Sequence, residues 1–146
     1  MKGTKGFTLI ELLMAVIVAA ILVAIAIPAF IDMTEQNAVS TTSNELLGGL
    51  LLARSEAVRQ EELTTFTPLN DGWQVDAAGV NLLTHVVDNV NLTIDGDPIT
   101  YNARGRAALD NTESIEISYE GTVQSRICLS LTGRPFIRSV ENGACP

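Results

Sequence analysis

The sequence predicts an α+β chain, with one long N-terminal helix followed by an antiparallel β-domain. Three observations carry this. Residues 12–27 form an unbroken run of sixteen apolar side chains. Beyond Pro28, apolar residues recur at spacings of three, four and seven, the period of a helix with one buried face. From Leu63 the period falls to two, in short runs rich in Val, Ile, Thr and Leu separated by Gly, Asn and Asp, the pattern of strands and tight turns.

The first part of the helix is apolar all round. Within 7–31, only Thr8, Glu11 and Pro28 interrupt the run. A helix of that length extends about 37 Å, enough to cross a hydrocarbon core of about 30 Å. Pro28 removes one backbone hydrogen bond and is expected to kink the helix. The second part is amphipathic. Asp32, Glu35 and Gln36 are polar, and Val39, Leu46, Leu47, Leu50, Ala53, Ala57 and Val58 form the stripe expected to face a core. A continuous helix from Thr8 to Gln60 would span roughly 80 Å. Gly48-Gly49 inside it costs about 1 kcal/mol per residue relative to Ala. Two readings stand: close packing against a sheet, or a soft point where the helix unwinds during assembly.

Eight strands follow, expected at 63–67, 72–76, 83–87, 91–95, 99–102, 115–119, 126–131 and 135–139. The turns expected between them are Asn70-Asp71-Gly72, Asp95-Gly96-Asp97-Pro98, Arg104-Gly105, Glu120-Gly121 and Thr132-Gly133. Asp95-Gly96 reads as a hairpin turn. Strands this short and this close in sequence make antiparallel sheets wrapped against the helix.

Glu11 is the odd residue of the apolar segment. A lone carboxylate at a membrane helix centre costs about 2.5–3.5 kcal/mol and normally has a partner. Lys and Arg are both absent between Lys5 and Arg54, so the partner is expected from elsewhere. A secretory signal peptide shares the basic start and apolar core, with Ala24-Ile25-Ala26 as its cleavage site and Ile27 as the new N-terminus. A plain membrane anchor would keep Met1. Neither gives Gly6 and Glu11 a role.

Charge narrows the partners. The chain carries −8 at neutral pH. Without residues 1–6 it has seven Arg and no Lys against seventeen acids, a balance of −10. Such a domain repels polyanions at long range. Lys2 and Lys5 would stay cytoplasmic under the positive-inside rule, so the β-domain would face outward. In an exported domain Cys128 and Cys145 read as a disulfide, with two free thiols as the alternative.

Gly6 followed by Phe7-Thr8-Leu9-Ile10-Glu11, after a short basic leader and before an apolar stretch with Pro28, resembles the N-terminus of type IV prepilins and type II secretion pseudopilins. The resemblance implies that a prepilin peptidase cuts between Gly6 and Phe7 and methylates the Phe7 amine. It also implies that Glu11 meets the N-terminal amine of a neighbouring subunit during assembly. Leu52-Ala53-Arg54-Ser55-Glu56-Ala57-Val58-Arg59, Gly72-Trp73, Ile99-Thr100-Tyr101-Asn102 with Gly105, and Leu131-Thr132-Gly133-Arg134 resemble the GspH/FimT group of minor pilins and pseudopilins. That group has a long kinked helix under a β-domain of two small sheets and occupies filament tips in low copy. The division implied is a leader at 1–6, a membrane and filament-core helix half at 7–31, an amphipathic half at 32–60 and a β-domain at 61–146. The Cys128 and Cys145 pair resembles the C-terminal disulfide of FimU-type minor pilins.

The expected function is structural, with no enzymatic activity, cofactor, metal or small-molecule substrate. Partners are other minor and major pilins or pseudopilins, the prepilin peptidase and the inner membrane. The β-domain would lie in the periplasm before assembly and in the pilus or pseudopilus after it. His85 has no Ser or Cys context that completes a triad and reads as a pairing or surface residue. Asp88, Asp95 and Asp97 lack the spacing of a calcium loop. The Asn91-Leu92-Thr93 sequon matters only in a eukaryotic secretory context. Arg54 and Arg59 flank Glu56 and are expected to pair with it. Arg126, Arg134 and Arg138 are expected on the last two strands. DNA-binding members of the group carry Gly-Arg-x-Arg; this chain has Gly133-Arg134-Pro135-Phe136. With the second Arg missing, Arg134 and Arg138 rank as DNA contacts behind contacts with other subunits.

Overall fold

The structure, a computed structural model, describes residues 6–108, 114–130, 132–140, 143 and 145. The leader lysines Lys2 and Lys5, and Leu131 of the late Leu-Thr-Gly-Arg block, lie outside the described residues. One helix, α1 (Leu9–Gln60), is followed by eight strands: β1 (Thr64–Leu69), β2 (Gly72–Ala77), β3 (Val80–Val86), β4 (Leu92–Asp95), β5 (Ile99–Tyr101), β6 (Ser114–Tyr119), β7 (Thr122–Leu129) and β8 (Pro135–Ser139). The chain divides into two compact units, Met1–Gln36 and Asn37–Pro146.

In the first unit, every described side chain from Gly6 to Thr34 is exposed. An 18-residue window of this segment has a mean hydropathy of 3.0. Apolar surface of that extent in water would be strongly unfavourable, so it requires lipid or protein around it. Pro28 lies inside the helix.

In the second unit, α1 buries Val39, Thr42, Ser43, Leu46, Gly49, Leu50, Ala53 and Ala57. This is the predicted stripe with two corrections: Val58 is exposed, and Leu47 is only half-buried. The face turns slightly to admit Thr42 and Ser43. Ser43 can bury its hydroxyl because it donates to the Val39 carbonyl at 2.7 Å and meets Ser125 Oγ of β7 at 3.1 Å.

The strands form two four-stranded antiparallel sheets, ordered β3-β2-β1-β5 and β4-β6-β7-β8. Phe66, Trp73, Val75, Ile99 and Tyr101 of the first sheet join Ile94, Ile115, Ile117, Ile127 and Leu129 of the second, with the α1 stripe, in one core. Gly49 is the close approach. A Cβ there would stand 2.8 Å from the Phe66 ring and 2.9 Å from the Trp73 ring. Of the two readings of Gly48-Gly49, close packing holds at Gly49, whereas Gly48 is exposed with nothing near it.

All eight expected strands are present, β8 at its expected bounds and the others with shifted ends. β7 begins at Thr122 and not at Arg126, because Glu120 and Gly121 both take positive φ and put Tyr119 opposite Thr122, a primed two-residue hairpin. β3 begins at Val80 for the same reason, with Ala78 and Gly79 at positive φ. Asp95-Gly96 is not a hairpin turn. β4 and β5 belong to different sheets, and the segment crosses between them. Gly96 passes so close to β6 that a Cβ would stand 3.1 Å from the Ile115 Cα.

Candidate assembly site

The N-terminal site starts at Gly6 and Phe7, which precede the helix, with the Phe7 ring exposed. Thr8 is the N-cap of α1 and Glu11 its third residue. Glu11 Oε2 accepts from the Thr8 backbone N–H at 3.0 Å and from the Thr8 hydroxyl at 2.8 Å, and Glu11 N–H donates to Thr8 Oγ1 at 3.3 Å. This is a capping box. Glu11's hydrogen bonds thus have a local partner in Thr8, and among the described residues of this segment there is no cation to balance its charge. The Thr-x-x-Glu spacing that signals the cap is plain in the sequence.

In the β-domain, Cys128 on β7 is buried and joined to Cys145, with 5.6 Å between Cα atoms and 17 residues of sequence separation. Arg134 is exposed and immediately precedes β8. Its N–H donates to Ser130 Oγ at 3.1 Å, and its carbonyl accepts from Ser130 N–H at 3.0 Å. Arg138 sits on β8 opposite Arg126, whose Nε donates to Glu116 Oε1 at 2.7 Å. Four residues of strand put about 13 Å between Arg134 and Arg138, so the two do not form one cluster.

Arg54 departs from its expected pairing with Glu56 and donates from Nε to the Gly105 carbonyl at 2.8 Å. Arg59 alone pairs with Glu56. The hydrogen bonds from Arg59 and Gln60 hold the Glu56 carboxyl below its usual range, and Glu56 in turn raises Arg59. His85 stacks on Trp73 with centroids 5.1 Å apart and lies 3.2 Å from Glu45 Oε2, a packed side chain at the sheet edge. The geometry offers a bare apolar helix, a capped acidic start and a disulfide-closed β-domain, which are parts suited to assembly.

Comparison with known proteins places these parts. Residues 42–133 match the family profile described as "Type II transport protein GspH". The chain belongs to the GspH family. Residues 1–27 of this GspH-family chain match the prokaryotic N-terminal methylation motif. A "Fimbrial protein" of Pseudomonas aeruginosa is 32% identical over 103 residues, covering 65% of this chain and 67% of that protein. "Type IV narrow pilus major component PilA5" of Thermus thermophilus is 59% identical over 32 residues, 22% of this chain and 28% of that protein. The crystal structure of the type IV minor pilin FimU of Pseudomonas aeruginosa superposes with a TM-score of 0.63 at 23% identity, covering 75% of this chain and 94% of that one. The fold of the GspH-family chain is thus the pilin fold, a long N-terminal helix with two antiparallel sheets. Proteins of this family and fold are structural, and they assemble with other pilins.

Proposed function

We propose that the chain is a low-copy, tip-associated minor pilin of a type IV pilus. The observation that carries this is the junction of the methylation motif to a helical segment whose apolar side chains are exposed from Leu9 to Met33. Prepilin peptidase would cut between Gly6 and Phe7, and Phe7 would be N-methylated. A small residue before the cut lets the leader approach the peptidase closely. The 7–31 helix would hold the subunit in the inner membrane, with the β-domain in the periplasm, and then enter the filament core. Protein packing there replaces lipid contact, so the transfer has little net hydrophobic cost and stays reversible. Glu11 would pair with a neighbour's N-terminal amine, which reduces the cost of burying its charge. Pro28 would let the helix bend between the two environments.

The family's description favours a second reading, a minor pseudopilin of type II secretion. Shearing surface filaments from cells and probing for this chain separates the two. Its presence in the pilus fraction supports the first reading. Its absence, together with a secretion defect in a deletion strain, supports the second. Mass analysis of the mature chain should show a methylated Phe7 N-terminus, and Gly6→Val should leave unprocessed protein in the membrane.

A further inference from the structure

Four strands lie at the margins of the two sheets: β3 and β5 of the first, β4 and β8 of the second. Three of them are guarded. β5 is three residues long. Its outer side is taken by the 107–108 segment, through the Tyr101–Ala107 bridge and the Ala108 N–H to the Thr100 carbonyl at 3.0 Å. β4 is four residues long and ends in Asp95, and its Ile94 N–H donates to the Asn70 carbonyl at 3.1 Å. β8 opens on Pro135, carries Arg138 and lies within the loop closed by Cys128 and Cys145. Shortness, charge, proline and cover are the usual means by which a sheet edge is kept from pairing.

β3 has none of these among the described residues. Its seven residues include no Pro, Lys, Arg, Asp or Glu, and Val80, Leu82, Leu83 and Val86 are exposed. It offers about 23 Å of edge. Val87 N–H donates to the Asp71 carbonyl at 2.8 Å. Antiparallel alternation then makes Trp73–His85 and Val75–Leu83 the hydrogen-bonded pairs with β2, and turns the N–H and C=O of Thr84 and Val86 to the open side. α1 runs beside this edge. Glu45, Asp88, His85 and Val86 line one hollow, and Leu52, Glu56, Leu82 and Leu83 line another. Lys and Arg are both absent between Arg59 and Arg104, a stretch with seven carboxylates.

We propose that β3 accepts a strand from a different pilin subunit, an extended segment that alternates apolar residues with Lys or Arg. The proposal rests on the filament reading above and names the contact. Unpaired N–H and C=O groups along an edge are matched residue for residue by another extended backbone, which selects a strand as the occupant. The hollow at Leu82 and Leu83 takes apolar side chains. The hollow at Glu45 and Asp88 takes a cation, by charge complementarity. A second copy of this chain is the wrong occupant, because two β3 edges would bring the same carboxylates together. One acceptor edge per subunit suits a low-copy protein, since the contact ends with the partner that fills it.

The test is photocross-linking in cells that make the full chain, with benzoylphenylalanine placed singly at Leu82 or Val86, and at Thr93 on β4 as a control. Mass spectrometry maps the attachment points. Both β3 positions should reach one extended segment of another pilin, and moving the probe from Leu82 to Val86 should shift the attachment by about four residues, as paired strands require. Thr93 should give no such product. Thr84→Pro removes an outward N–H and leaves the ladder to β2 intact, so it should lower the yield about tenfold, whereas Thr84→Val should not. The register shift is read without the Thr84 variants, so it stands even if Thr84→Pro misfolds. Attachment to a partner's helix, attachment to a second copy of this chain, equal yield from Thr93, or no pilin product from β3 overturns the proposal. Absence of the chain from sheared filaments would defeat the filament reading instead, because the cross-links are also read in the membrane fraction.

Discussion

Thr8 and Glu11 satisfy each other across the first turn of α1, each side chain accepting a backbone N–H of the other. Glu11 therefore has two separable roles. Its oxygens cap the helix, and its charge is left for a partner. The Thr8→Ala variant removes the cap and keeps the charge, at a cost of about 1 kcal/mol at the helix start. Glu11→Gln keeps a capping acceptor and removes the charge. If the charge drives assembly, Thr8→Ala should enter filaments nearly normally. Glu11→Gln should fail as Glu11→Ala does, with membrane insertion unharmed or improved in both Glu11 variants. Quantifying each variant in sheared filaments alongside wild-type subunits checks this, and normal incorporation of Glu11→Gln would overturn the charge role.

Gly49 and Gly48 should respond in opposite directions. An Ala at 49 would press its methyl onto the Phe66 and Trp73 rings, which are both buried. Overpacking of this kind costs typically about 1–3 kcal/mol. Ala at 48 meets nothing and should gain up to about 1 kcal/mol from helix propensity. Thermal unfolding of the full chain in detergent measures both. Equal effects would mean that neither glycine is there for packing.

Much of this fold is written in local periodicity. The shift from a helical period to a period of two at Leu63 located eight strands, because alternate side chains of each strand face one core. What local pattern does not contain is which sheet a strand joins. Asp95-Gly96 has the chemistry of a hairpin turn, yet β4 pairs with β6 and β5 with β1, a choice made by distant partners. Arg54 shows the same limit. Helical spacing offered it Glu56, but its actual acceptor, the Gly105 carbonyl, is 51 residues away. The Thr8–Glu11 cap, by contrast, is local, and its Thr-x-x-Glu spacing is legible in the sequence.

Reducing the Cys128–Cys145 bond should destabilise the β-domain by about 3 kcal/mol, the chain-entropy value for a loop of this length. The loop contains β8, which among the described strands pairs with β7 at the end of its sheet, so the bond pins an edge strand. The melting temperature with and without reductant reads the effect. An unchanged melting temperature would show that strand pairing alone holds β8.

Tyr101 gives a pH signature. Its hydroxyl is fully buried, and no described group bonds to it. Burial pushes its pKa up to about 12, against a smaller lowering by Arg54. In the unfolded chain a tyrosine ionises near 10. A group whose neutral form is favoured by folding contributes in full below its unfolded pKa and loses that contribution as pH rises through the folded value. Stability should therefore fall between pH 10 and about 12. The Tyr101→Phe variant lacks both the titration and the unpaired hydroxyl. At pH 8 it should be as stable as the wild type or more so, since an unsatisfied buried hydroxyl costs about 1–3 kcal/mol. Its melting temperature should also drop less between pH 9 and pH 11.5. Other groups titrate equally in both proteins, so the difference between the two curves isolates Tyr101. Parallel curves would mean that the hydroxyl reaches water in solution.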